Sequence, residues 1–115
     1  MRRITVLLLS IFVFYTGYSQ SSWIRVNQVG YLEDDVKMAV WISKGNEAIR
    51  EFQVINPVTG EVAFTGSDIR NTGKQPAFES SARLNFTALK TPGTYIVKAG
   101  EVESVPFRIG NNVYA

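Results

Sequence analysis

Short runs of alternating apolar and polar residues follow one another along most of the chain, and no segment shows the 3.6-residue period of an amphipathic helix. In the first run Ile24 and Val26 point to one side and Arg25 and Asn27 to the other, because strand side chains alternate. Gly30 ends this alternation and predicts a backbone angle that other residues reach only with strain, followed by a tight turn. Turn residues recur between the later runs. The pattern predicts an all-β sandwich of roughly seven or eight strands.

The second run, residues 37–43, places aliphatic side chains at alternate positions. This predicts that Met38, Val40 and Ile42 face the core and that Trp41 points outward. Taken over all strands, the alternation predicts these core residues: Met38, Val40, Phe52, Val54, Leu84, Phe86, Val97 and Phe107.

Between the runs, residues 56–60 have the proline and glycine that suit a hairpin connection, and residues 45–47 predict another turn. Residues 66–81 lose the alternation, which leaves either a long loop or a loop interrupted by one short edge strand. Residues 105–109 alternate again, but Pro106 cannot donate to a ladder and therefore indicates an edge position or a bulge.

A late turn precedes a tyrosine. Pro92 fixes one backbone angle of this turn, and Gly93 supplies the positive one. Tyr95 then begins a strand, where it is either a tyrosine corner, with its hydroxyl bonded to backbone upstream, or an ordinary half-buried aromatic residue.

The first 19 residues have the layout of a secretory signal peptide. Arg2 and Arg3 precede the mostly apolar residues 4–15, which are too few to span a bilayer as a helix. Small residues at Gly17 and Ser19 predict cleavage before Gln20. The alternative is a short membrane anchor. The favoured interpretation predicts a secreted or periplasmic protein without a stable membrane anchor.

Removal of 19 residues from 115 leaves 96, the size of one sandwich domain. Without Arg2 and Arg3 the basic and acidic residues balance at 10 each, so the charge indicates no nucleic-acid partner. The chain has neither cysteine nor histidine. No disulfide can stabilise this fold, and the usual ligands of zinc and copper are absent. We expect no cofactor.

The only adjacent carboxylates are Glu33, Asp34 and Asp35, in a turn with no apolar surroundings to raise a pKa. Hydrolysis of a glycosidic bond with inversion requires two carboxyl groups about 6.5–9.5 Å apart across the sugar, one as the acid and one as the base that activates water. We therefore expect a solvated turn here rather than a catalytic site. Binding of Ca²⁺ through the turn's oxygens is the alternative.

Three segments carry a family resemblance: residues 25–32 (RVNQVGYL) with Lys37 six residues after Tyr31, residues 91–95 (TPGTY), and residues 105–114 (VPFRIGNNVY). In this order and spacing they resemble the immunoglobulin-like domain at the N-terminus of many family 9 glycoside hydrolases, which are mainly cellulases. The chain departs from the family at Glu33, where a proline is common. The motif residues are Asn27, Gln28, Gly30, Tyr31, Lys37, Pro92, Gly93 and Tyr95.

Within this motif we expect Asn27 and Gln28 to stabilise the turn through side-chain hydrogen bonds to backbone. The resemblance implies a domain over residues 20–110, the start of a linker at 111–115, and a catalytic (α/α) barrel in cis that these 115 residues do not contain.

Two functions remain open. The resemblance implies an accessory domain of a secreted β-1,4-glucan hydrolase, which packs on the catalytic barrel and stabilises it. The alternative is a free-standing carbohydrate-binding module that binds β-glucan. Both need exposed aromatic side chains, for which the candidates are Trp41, Trp23 and Tyr31. The chain alone is predicted to be inactive.

Overall fold

The computed structural model describes residues 21–45, 48–72, 74 and 78–111. These residues contain nine strands and no helix. The strands are β1 (Ser22–Arg25), β2 (Met38–Ser43), β3 (Phe52–Ile55), β4 (Val62–Gly66), β5 (Ile69–Asn71), β6 (Ser80–Asn85), β7 (Gly93–Ala99), β8 (Val102–Glu103) and β9 (Phe107–Ile109). The signal-peptide prediction, most of the 45–47 turn and most of the 111–115 linker lie outside the described residues.

The strands form two sheets, and all the strand pairs are antiparallel. The first sheet has the order β1-β2-β6-β5, and the second has the order β4-β3-β7-β8 with β9 also paired to β7. The inner faces of the two sheets supply one hydrophobic cluster that includes residues from both. This arrangement confirms the predicted all-β immunoglobulin-like sandwich.

Six of the eight predicted core residues are buried: Phe52, Val54, Leu84, Phe86, Val97 and Phe107. The other two, Met38 and Val40, were assigned to the wrong face, since each is 36% exposed. Trp41, predicted to point outward, is 1% exposed and belongs to the core cluster together with Ala39. Ile42 is buried as predicted but lies on the outer face with Met38 and Val40, outside that cluster.

The reason for this reversal is that both faces of β2 are apolar. An indole ring has much more apolar surface to bury than a valine or methionine side chain, so burial of Trp41 decides which face turns inward. The smaller aliphatic side chains are then left on the outer face of the first sheet.

The irregular segments follow the predicted signals. A short strand, β5, interrupts residues 66–81 and lies at the edge of the first sheet. Pro106 falls between β8 and β9, where the strand pairing along the edge of β7 is broken. Val105 is exposed, so the alternation of the last run begins only at Phe107.

Candidate functional site

Tyr31 is the centre of the connection between β1 and β2. Its ring packs edge-on against Phe86 and Phe107, with centroid distances of 5.2 and 5.5 Å. Its hydroxyl accepts the Asn27 N–H at 2.9 Å and donates to the Met38 carbonyl at 2.6 Å. Tyr31 therefore joins the two ends of the connection. The prediction that it contributes to a surface contact is wrong, because its side chain is buried.

The turn before Tyr31 is stabilised as predicted by Asn27. The Asn27 Oδ1 atom accepts the Val29 N–H at 3.1 Å, and the Asn27 carbonyl accepts the Gly30 N–H at 3.1 Å. Gly30 has φ 120°, a conformation that only glycine adopts without strain. Gln28 is exposed. The turn therefore depends on the asparagine and the glycine.

Lys37 also stabilises the β1–β2 connection, at its end next to β2. Its side chain is fully buried, and Nζ donates to the carbonyls of Glu33 at 2.6 Å, Asp35 at 3.1 Å and Thr87 at 3.2 Å. Burial lowers the pKa of Lys37 below its ordinary value of 10.5, since desolvation disfavours the charged amine. The ammonium occupies the place that a bound cation would need among these carbonyls.

The acidic turn itself lies at the surface. Asp34 and Asp35 are exposed, and Asp34 is within 3.4 Å of the exposed Lys90 ammonium. Among the described residues, no group of three or more acidic, cysteine or histidine side chains is placed to bind a metal ion. The three carboxylates are neighbours on one loop.

Tyr95 forms the tyrosine corner that was one of its two interpretations. Its hydroxyl donates to the Thr91 carbonyl, four residues upstream, at 2.9 Å. The Tyr95 ring occupies the space beside Gly93, where a Cβ atom would lie 3.2 Å from Cζ of the ring. Burial raises the pKa of the Tyr95 hydroxyl. Pro92 is exposed in the same turn.

Only one of the three aromatic candidates reaches the surface. Trp41 and Tyr31 are buried, whereas Trp23 is half-buried on the outer face of the first sheet. Trp23 packs edge-on against Phe78 at 5.9 Å, and Lys44 Nζ lies 5.7 Å from its ring centroid. The indole is therefore already in contact with two neighbours, and the described residues present no row of open aromatic faces.

The most exposed large apolar side chains are instead valines in loops. Val58 is 90% exposed, Val36 is 69% exposed and Val29 is 58% exposed. Val29 and Val36 belong to the β1–β2 connection, and Val58 belongs to the β3–β4 hairpin. Met38, Val40, Val62 and Val105 are less exposed.

A groove on the outer face of the second sheet has a volume of about 470 Å³. Ile55 and Ile96 are paired across β3 and β7 within it, and Pro57 and Pro106 also line it. The groove is open to solvent, and the rest of its lining includes polar side chains: Asn56, Lys98, Glu103 and Ser104.

The outer face of the first sheet carries a row of arginines. Arg25 is paired with Val40, Val40 with Arg83, and Arg83 with Arg70, so all four side chains lie on one face. The four residues are exposed. None of the ion pairs found among the described residues involves these arginines.

The turns at residues 27–30 and 56–60 are similar, which was not predicted from the sequence. Asn56 Oδ1 accepts the Val58 N–H at 2.9 Å, as Asn27 Oδ1 accepts that of Val29. The signal is visible in the sequence, because both turns read Asn-x-Val before a glycine. An asparagine that bonds to the backbone two residues later is a recognised turn former.

Comparison with known proteins identifies the domain. Residues 19–104 match the family model described as the cellulase N-terminal Ig-like domain. A xyloglucan-specific endo-beta-1,4-glucanase of Bacteroides ovatus is 34% identical over 90 residues, which cover 78% of this chain and 15% of that enzyme. The chain thus spans about 15% of the length of this curated relative.

Solved structures agree with this match. A family 9 glycoside hydrolase of Bacteroides ovatus superposes with a TM-score of 0.65 at 32% identity, covering 78% of this chain and 16% of that one. A single-substitution form of a thermostable endoglucanase from Alicyclobacillus acidocaldarius gives a TM-score of 0.64 at 28% identity, covering 80% and 15%. A metagenome-derived family 9 endoglucanase gives 0.63 at 30% identity, covering 77% and 18%.

Proposed function

Because this chain belongs to the family of cellulase N-terminal Ig-like domains and is an accessory domain, we propose that it packs on a family 9 catalytic barrel in the same polypeptide and stabilises that barrel. The observation that carries the proposal is the coverage of the match: it takes in 78% of this chain but only 15% of the endoglucanase. The residues that cleave the glycosidic bond then belong to the barrel. The contribution of this domain is structural.

The position of the adjacent carboxylates among the described residues supports the proposal that catalysis belongs to the barrel. Glycosidase catalysis uses an acid and a base, or an acid and a nucleophile, on opposite sides of the scissile bond. The adjacent carboxylates of this chain lie on one surface loop, with Asp34 beside Lys90. Hydrolysis of β-1,4-glucan is therefore proposed for the barrel, and β-glucan is at most a secondary partner of this domain.

The proposed organisation has three parts: a signal peptide at residues 1–19, the immunoglobulin-like domain at 20–110, and a linker that starts at 111–115. The charged start and apolar stretch of residues 1–15 support export to the periplasm or the exterior. A domain without cysteine folds in either compartment without a disulfide. A membrane-spanning helix is absent from the part of the chain that the structure describes.

The test compares the catalytic barrel expressed alone with the same barrel joined to this domain. We expect the joined protein to unfold at a higher temperature, while the kcat of the folded enzyme on soluble β-glucan stays the same, because the domain contributes contacts rather than catalytic groups. An unrelated sandwich domain of similar length, fused in the same place, is the control. Equal unfolding midpoints for all three proteins would contradict the proposal.

A further inference from the structure

The three most exposed large apolar residues of the described chain all lie at one end of the sandwich. Tyr31 fixes the position of the β1–β2 connection. Its hydroxyl bonds to the Met38 carbonyl at the start of β2, and its N–H donates to the Arg108 carbonyl in β9. The β1–β2 connection with Val29 and Val36 is therefore at the end where β9 finishes.

The β3–β4 hairpin reaches the same end. Ile55, the last residue of β3, is paired with Ile96 near the start of β7, and Gly93 at the start of β7 is paired with Ile109. Val58 at the tip of the hairpin thus projects at the end where Gly110 leaves the sandwich. We call Val29, Val36 and Val58 with their turns the end surface.

The turns of the end surface are rigid before any partner binds. At the hairpin, Asn56 Oδ1 accepts the N–H groups of Val58 at 2.9 Å and Thr59 at 3.3 Å, and the Asn56 carbonyl accepts the Gly60 N–H at 2.8 Å. The Asn27 turn is bonded in the same way, and Lys37 is bonded to the loop that carries Val36. Such preorganisation reduces the conformational entropy that docking would cost.

Single exposed aliphatic residues are common on protein surfaces and need no explanation. Here, however, three valines share one end, and the turns that carry them are fixed by buried or backbone-directed polar groups. Covering a valine side chain removes apolar surface from water and therefore stabilises a contact. The arrangement provides small apolar projections on a rigid base.

We propose that the end surface is the contact with the catalytic barrel, with Val29, Val36 and Val58 inserted into apolar depressions of the barrel. This inference rests on the proposed function. The occupant follows from chain direction: in a family whose Ig-like domain is N-terminal, the next domain is attached beyond Gly110, beside the Asn27 turn. The arginine row lies on the outer face of the first sheet. The groove on the second sheet adjoins the β3–β4 hairpin, since Pro57 and Gly60 line it.

The experiment uses the joined protein and two triple variants. The first changes Val29, Val36 and Val58 to threonine, and the control changes Val40, Val62 and Val105 to threonine. Threonine keeps the branched shape but places a hydroxyl group in an apolar contact, which disfavours burial there. Differential scanning calorimetry measures the unfolding temperature of the barrel in each joined protein. Urea unfolding measures the midpoint of each triple variant of the isolated chain.

We expect the end-surface variant to lose at least half of the gain in unfolding temperature that joining gives to the barrel, and the control variant to keep nearly all of it. Both isolated variants should keep the parent urea midpoint, because all six residues are exposed. Loss of the gain in the control alone would overturn the end surface while leaving the accessory function intact. If the parent domain gives the barrel no gain, the accessory function and the end surface are both overturned.

Discussion

Lys37 stabilises its loop with a charged amine that is enclosed by main-chain carbonyls, although burial disfavours the charged form. A protonated amine has three N–H donors, which matches the three carbonyls it meets. A residue without donors at this position would leave the carbonyls of Glu33, Asp35 and Thr87 without this partner.

We expect Lys37→Met to lower the free energy of unfolding by about 1–3 kcal/mol, since buried acceptors lose their donor while the length of the side chain is kept. Removal of the lysine's desolvation cost offsets part of this loss. Lys90→Met is the control, because Lys90 is exposed and contacts only Asp34 within this loop. Urea unfolding of the two variants measures the difference. Equal midpoints would contradict a structural role for the buried ammonium.

Tyr95 makes stability depend on pH at the alkaline end. Its pKa is raised in the folded state above the ordinary value of 10.0, so the folded state retains the proton longer than the unfolded state. The stabilisation is complete below pH 10.0 and is lost as the pH rises through the raised pKa.

The comparison is between the parent chain and Tyr95→Phe, unfolded in urea from about pH 8 to about pH 11. Below the tyrosine range the parent should be more stable by about 0.5–1.5 kcal/mol, from the hydrogen bond to Thr91. As the pH rises through the raised pKa of Tyr95, the difference in stability between the parent and Tyr95→Phe should become smaller. Parallel curves over the whole range would show that Tyr95 does not titrate differently in the two states.

At the scale of single residues, the sequence predicted motifs better than contacts. The Asn27 turn, Gly30 and the tyrosine corner follow from local rules for asparagine, glycine and tyrosine, and the structure confirms them. The partners of Lys37 could not be predicted, because Thr87 is 50 residues away along the chain and is brought near only by pairing of the strands.

At the scale of elements, β2 shows that alternation alone does not always predict which face of a strand is buried. Met38, Val40 and Ile42 form one apolar set, and Ala39 and Trp41 form another, so the pattern allows either face to be buried. The structure places Trp41 inside and leaves Met38 and Val40 on the surface. In β6 the other face carries polar side chains, Ser81, Arg83 and Asn85, and the prediction that Leu84 lies in the core is confirmed.

The pairing of β5 with β6 contains an electrostatic conflict. Arg70 and Arg83 are direct cross-strand partners on the outer face, and like charges in this position are destabilising. We expect Arg70→Glu to raise the free energy of unfolding by about 0.2–1 kcal/mol, because it replaces repulsion with attraction.

Arg70→Gln is the matched variant, since it removes the repulsion without adding an ion pair, and its gain should be smaller. Both gains should decrease as salt is added, because exposed charges are screened. Urea midpoints at low and high salt give the measurement. A gain that is independent of salt would mean that charge is not the cause.

At the scale of the whole molecule, the fold and family were predictable because strand alternation, turn residues and three spaced motifs all indicate one sandwich. The end surface was not predictable from the sequence, since it depends on which loops reach the same end of the sandwich. Val29 and Val58 lie 29 positions apart in the chain and are brought to one end by the two-sheet topology.

The isolated chain is expected neither to cleave β-1,4-glucan nor to be retained on insoluble cellulose. Among the described residues the adjacent carboxylates Glu33, Asp34 and Asp35 lie on one loop, and stacking on sugars needs open aromatic faces. A cellulose-binding test should not vary Trp41, because Trp41→Ala would remove a core side chain and lower the free energy of unfolding by about 3–5 kcal/mol. Trp23 is the aromatic residue to vary, since it is half-buried on an outer face.

A pull-down on cellulose and an assay on soluble mixed-linked glucan should therefore both be negative for the parent chain, for Trp23→Ala and for Trp23→Phe. Retention of the parent and of Trp23→Phe, lost in Trp23→Ala, would instead identify a carbohydrate-binding module that uses this ring. Cleavage of glucan by the pure chain would require catalytic carboxylates within these 115 residues. Because an accessory domain acts through the barrel it contacts, absence of both activities is what its structure leads us to expect.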